Sequence, residues 1–144
     1  MKFKTIFKLA VVTAASLLMM SCIAPNTFVK TMEPTWGSIE LRTDVTYEQA
    51  WETVVDTLVK RFDMEVLSRQ DGYIRTNWIY TWTGTIDENY RVRVTAKFPS
   101  DRKRLDIKSE AEFGGPGRWA MGYDTRLLET IKSDIMGKIG RTTR

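Results

Sequence analysis

The side chains able to do chemistry in this chain are few, and their spacing narrows the choice. The 144 residues contain no histidine and a single cysteine, Cys22. Neither a Ser–His–Asp triad nor a Cys–His dyad can be assembled, and the usual zinc donor sets are out of reach. Gly114-Gly115-Pro116-Gly117 is glycine-rich but lacks the following Lys-Ser/Thr that a phosphate loop requires, so it reads as a turn that ends a strand. Carboxylate pairs remain: Asp87-Glu88, and Glu110 with Glu112. Such pairs can divide the work of glycoside hydrolysis. Here Asp87-Glu88 falls in a loop, while Glu110 and Glu112 lie on a strand face opposite arginines. An ion pair holds an acid ionised, whereas a general acid must stay protonated. A carboxylate hydrolase is therefore the least favoured function, and no catalytic residue, cofactor or metal ligand is expected.

Cys22 has a different chemistry open to it. It closes an apolar run that follows Lys2, Lys4 and Lys8, the order of a secretory signal. From Leu9 to Met20 the run makes about 18 Å of helix, well short of a ~30 Å hydrocarbon core. Ser21-Cys22 resembles the end of a lipobox, in which a small residue precedes a cysteine that becomes the acylated N-terminus, although Met19 stands where Leu is usual. A lone cysteine in an exported chain has no internal disulfide partner. The expectation is removal of residues 1–21 and acylation of Cys22, with each buried CH₂ contributing ~0.8 kcal/mol to membrane anchoring. Removal takes away three of the 22 basic residues and no acid, leaving 19 against 18. The formal +4 falls nearly to neutral, and no argument for nucleic acid survives. Ile23 is not the Asp that retains enterobacterial lipoproteins on the inner membrane. The outer membrane, with the domain facing the periplasm, is the expected location, and the inner membrane is the alternative.

The elements that must carry any site follow. Residues 22–35, with Pro25, Asn26 and Pro34, read as the lipidated N-terminus and a tether. Its length from Ile23 is roughly 40 Å when extended. Residues 36–140 suit one domain with one core, and residues 141–144 a frayed tail. Residues 36–42 alternate as a strand. Thr46 and Gln49 form a capping box for a helix whose buried stripe is Tyr47, Ala50, Trp51, Val54, Val55, Leu58 and Phe62. Residues 64–68 and 73–80 read as strands about an Asp71-Gly72 turn, with Ile74, Thr76, Trp78 and Tyr80 on one face. Residues 90–98 and 105–113 alternate in step. With Phe98 opposite Leu105, Lys97 faces Asp106, Arg93 faces Glu110 and Arg91 faces Glu112, so charge and hydrophobicity select one register. Residues 118–123 carry no clear pattern. Asp124 caps a second helix with the stripe Leu127, Leu128, Ile131, Ile135 and Ile139. The fold class is α+β: a four- to five-stranded antiparallel sheet with two helices packed on one face.

Trp51 and Trp78 are expected in the core. Tyr73, Trp36, Trp82 and Trp119 fall off the core faces or in loops, where aromatics either mark a recognition surface or simply cover the open side of the sheet. They are the candidate partner-binding residues. Gly72-x-Ile74-x-Thr76-x-Trp78, preceded by the Trp51 helix and followed by Tyr90-Arg91-Val92-Arg93-Val94, resembles the BamC (NlpB)-type lipoprotein domain over about residues 43–139. The resemblance implies a helix-grip-like fold, an accessory part in outer-membrane protein assembly, and no catalytic residues. BamC itself has two such domains and a long N-terminal segment that docks onto a partner lipoprotein, where one domain and a short tether are read here. The functions carried forward are a lipid-anchored, non-enzymatic binder of an envelope protein; a binder of envelope glycan or peptidoglycan; and, last, a hydrolase.

Overall fold

A computed structural model describes residues 23–84 and 86–142. The expected signal segment, Cys22 and residues 143 and 144 lie outside the described residues. In chain order the elements are β1 (Phe28–Lys30), β2 (Gly37–Glu40), α1 (Tyr47–Val59), β3 (Met64–Ser68), β4 (Tyr73–Thr76), β5 (Tyr90–Lys97), β6 (Arg104–Phe113), β7 (Ala120–Asp124) and α2 (Thr125–Ile139). The sheet runs β1-β7-β6-β5-β4-β3, every pair antiparallel. β5 occupies one side of β6, so β2 and β7 divide the other: β2 pairs with Arg104–Ile107 and β7 with Ala111–Phe113. The class is the α+β expected, with more strands than four or five.

Both helices begin where their caps dictate. The Gln49 amide donates to Thr46 Oγ1 (3.2 Å) and the Thr46 amide to Gln49 Oε1 (3.0 Å), which satisfies two of the donors a helix start leaves free. Ala50, Trp51, Val54 and Leu58 of α1 and all five apolar stripe residues of α2 are buried. They meet Ile74, Val92, Val94, Ala96, Phe98, Leu105, Ile107 and Ala111 from one face of the sheet. Phe98 is the contact for α1, with Tyr47 edge-on at 5.2 Å and Trp51 at 6.3 Å. The β5–β6 register is the one expected, with Lys97 opposite Asp106, Arg93 opposite Glu110 and Arg91 opposite Glu112.

Two expectations are corrected, and residues 118–123 take a definite structure. The stretch read as tether contributes β1, which pairs with β7 over Phe28–Asp124, Val29–Tyr123 and Lys30–Gly122. Residues 118–123, without clear pattern, supply most of β7. That strand's inward positions are Gly122 and Asp124 instead of large apolar residues, which is why alternation is invisible there. Gly122 faces the Phe28 ring: a Cβ would stand 2.6 Å from Phe28 Cε2 and 2.2 Å from the Val29 carbonyl oxygen. The second correction is Trp78. Arg75 pairs with Thr95, and an unbroken register would set Trp78 against Val92; instead Ile79 stands there. One extra residue lies between, and the Val94 amide donates to Thr76 Oγ1 (3.0 Å) in place of a backbone partner. Such a slip moves every following side chain to the other face. Ile79 packs on the core, and Trp78 emerges on the outside.

Asp124 ties these pieces together. It is fully buried. Its carboxylate accepts from the Leu127 amide (2.7 Å), the Tyr90 hydroxyl (2.5 Å) and the Thr27 hydroxyl (2.9 Å). Ser109 Oγ donates to its carbonyl (2.7 Å) and accepts from its amide (3.1 Å). Asp124→Ala should remove a cap worth ~1 kcal/mol and strand a buried tyrosine hydroxyl at a further ~1–3 kcal/mol. A loss of about 3 kcal/mol in urea unfolding is the expected outcome. Gly122→Ala should expel β1, read as loss of amide protection at residues 28–30 with β5 and β6 still protected.

Candidate functional site

The helices cover one face of the sheet, and the other carries the candidate site. Alternation along β5 and β6 puts Arg91, Arg93, Thr95 and Lys97 there beside Asp106, Lys108, Glu110 and Glu112. Arg75 and Glu65 join from β4 and β3. The charges form a connected lattice: Arg75–Glu65 (2.8 Å), Glu65–Arg93 (3.5 Å), Arg93–Glu110 (3.1 Å) and Glu110–Lys108 (3.6 Å), with Arg91–Glu112 (2.5 Å) beside it. Lys97 and Asp106 face each other without forming an expected ion pair, because Asp106 is taken by Ser38 Oγ (2.6 Å) and Arg104 (3.2 Å).

Indole rings are laid over the cations. The Arg91 guanidinium carbon is 4.7 Å from the Trp78 ring centre and 4.4 Å from that of Trp119; Arg93 is 4.5 Å from Trp78, and Lys108 Nζ 5.0 Å from Trp36. A guanidinium can do both jobs, since its edge donates to a carboxylate while its face stacks on a ring. Each such contact contributes roughly 0.5–2 kcal/mol, more where water is excluded. Enough water is excluded for Thr95, on this outer face, to be buried.

Trp36, Trp119 and Tyr73 all fall on or beside this face. Trp36 is 44% exposed. Trp119 lies over Arg91, and Tyr73 sits opposite Lys97 in the β4–β5 ladder. Trp82 does not join them: it packs against the core and lines a separate cleft of about 190 Å³ with Pro25, Thr27, Tyr80, Asp87, Tyr90 and Asp124. Its Nε1 is buried and, among the described residues, has no hydrogen-bond partner. Beside Trp36 a hollow of about 410 Å³ is lined by Ser38, Lys97, Arg104 and Asp106. Sequence reasoning missed Trp78, Arg91 and Arg93 as members of the surface. The arginines were legible as outer-face residues; their indole partner was not, because the extra residue before Ile79 hid it.

Glu110 is held within the ion-pair lattice. Burial raises the affinity of Glu110 for a proton, but hydrogen bonds from Arg93 and Thr95 and the charges of Arg93 and Lys108 outweigh it, leaving the pKa below the ordinary value of 4.5. That is opposite to what a general acid needs. Burial first, and then the hydrogen bond to Asp124, raise the Tyr90 pKa, so its hydroxyl stays a donor. Among the described residues no group of three or more His, Cys, Asp or Glu side chains is placed to hold a metal ion.

Compared with protein-family models and with curated proteins, the chain matches none.

Because the folded pKa of Glu110 is depressed, the stability it contributes is complete above the unfolded value and is lost as pH falls through the folded one. Glu110→Gln should lower stability at neutral pH and flatten the loss of stability below about pH 4.5. Denaturant midpoints measured from pH 2 to 7 check this; parallel acid limbs for the two proteins would contradict it.

Proposed function

We propose that this chain is a lipid-anchored, non-enzymatic protein of the bacterial envelope, whose domain binds another envelope protein through the outer face of its sheet. The observation that carries this reading is the pre-ordered Trp–Arg surface of Trp36, Trp78, Trp119, Arg91 and Arg93. Tryptophan and arginine are the residues most enriched at binding hot spots. Here the arginines are held by ion pairs and the indoles by stacking on cations, so less conformational freedom remains to be lost on association. The composition around Ser21-Cys22 supports the anchor. An accessory part in outer-membrane protein assembly rests on the resemblance of residues 72–78 to the BamC-type strand. In that stretch Gly72 adopts φ +66 at the turn, Ile74 is buried, the Thr76 hydroxyl accepts from Val94, and Trp78 stacks on the arginines.

A second reading, envelope glycan as ligand, is favoured by one observation. The hollow at Trp36 joins an exposed indole to Ser38, Lys97, Arg104 and Asp106, an aromatic platform ringed by hydroxyl-binding groups.

A photo-crosslinking residue at 36 or 119 tests the first reading in whole cells. Both positions should capture the same envelope protein, with capture weakened by Arg91→Ala and absent from Val59 on α1. Retention on purified cell wall that is lost with Trp36→Ala, without any such protein adduct, would favour the glycan instead.

A further inference from the structure

β1 changes what the anchor can do. If residues 23–35 were free, the domain could stand roughly 40 Å from its lipid. Strand β1 begins at Phe28, which leaves only Ile23 to Thr27 between Cys22 and the sheet, a reach of about 17 Å. Phe28 is not loosely held: its ring packs at 6.0 Å from that of Tyr90 and 6.1 Å from Phe113, and Thr27 bonds to Asp124. β1 is one edge of the sheet and β3 the other, five strand spacings away. At ~4.8 Å each, that separates the edges by about 24 Å, more than the tether can span.

The edge nearest Cys22 is also where apolar side chains face outward without a partner. Ile23 is 86% exposed, Met32 78%, Met121 44% and Val29 39%. Val29 and Met121 share one face of the β1–β7 ladder, since Val29 pairs with Tyr123 and the Thr31 amide donates to the Met121 carbonyl (3.1 Å). Exposed Ile86 belongs to the loop whose Thr83 and Asp87 line a cleft with Pro25 and Thr27. Exposed charges of both signs, Lys30, Arg118 and Arg126 with Glu33 and Glu88, occur in the segments that form or flank this edge. Burial of apolar area is the contribution these four side chains would make at a lipid surface.

We infer that the β1–β7 edge is a lipid-contacting surface, on which Ile23, Val29, Met32 and Met121 enter the headgroup region beside the acylated Cys22. The inference rests on the anchor reading for Cys22. Its occupant is the lipid surface, because a five-residue tether holds this edge within about 17 Å of the anchor, whereas the β3 edge lies five strand spacings further off.

The mature protein, purified from its native membrane and reconstituted in phosphatidylethanolamine–phosphatidylglycerol vesicles, tests it. Since Cys22 is acylated, single cysteines at Met32→Cys, Met121→Cys and Leu67→Cys can be labelled with a polarity-sensitive fluorophore. Leu67 is a fair control, 49% exposed on β3 at the opposite edge. Labels at 32 and 121 should be blue-shifted and several-fold less accessible to an aqueous quencher than the label at 67. Equal accessibility at all three, with acyl mass present at Cys22, overturns the inference and spares the anchor. Absence of acyl mass overturns both. Shielding found in native membranes but not in the vesicles assigns this edge to a protein and also overturns it.

Discussion

One buried carboxylate holds the fold's parts in relation. Asp124 ends β7, caps α2, and receives the hydroxyls of Tyr90 from β5 and Thr27 from the segment before β1, while its backbone is bracketed by Ser109 of β6. A fully buried charge is unfavourable unless its lone pairs are satisfied. The need to satisfy them constrains four strands and a helix at once. The position of β1 follows from it: three ladder residues would make a marginal strand, but Thr27 bonded to Asp124 and Phe28 seated against Gly122, Tyr90 and Phe113 give it a fixed berth. The hydroxyl of Tyr90 is kept protonated there by burial and by Asp124 itself.

On the opposite face, the sheet is finished by charge and aromatic stacking in place of a second helix layer. An open face of bare apolar residues would invite aggregation, and an open face of unpaired charges would leave β5 and β6 without register. The Arg–Glu ladder fixes the register, and the tryptophans cover it. Lys97 is the exception. It has no carboxylate within ion-pair distance among the described residues, because Asp106 across from it is engaged by Ser38 and Arg104. Unspent binding capacity on this face is therefore concentrated at the Trp36 end, where Lys97 and the exposed indole border one hollow.

Much of this was legible in the chain. Both helices, their caps and the β5–β6 register could be read because local capping chemistry, binary pattern and cross-strand charge pointed to the same answer. What could not be read depends on distant residues. β7 has a glycine and an aspartate where a strand's apolar positions should be, and these make sense only once Phe28 and Tyr90 are known to meet them. Trp78 reads as core by alternation from Ile74, and the single extra residue before Ile79, bridged by the Thr76 hydroxyl, reverses it. Trp82 reads as a loop aromatic but packs on the core. In each case the deciding partner lies in another element, and period-2 counting along one strand has no access to it.

The two surfaces left open differ in kind, and the sheet sets their separation. The apolar edge at Met121 lies opposite Glu112 on β6, and the Trp36 ring lies over Lys108 on the same strand. Four residues of extended chain put them about 14 Å apart. β2 and β7 lie on the same side of β6, so this separation runs along the strands and the two surfaces are neighbours on one side of the sheet. A longer free tether would let the domain present either surface in any direction. If Cys22 carries the proposed anchor, the short tether set by the docking of Phe28 would couple anchoring to orientation, so a change that only unpins β1 would alter how the Trp36 surface is presented while leaving that surface itself intact.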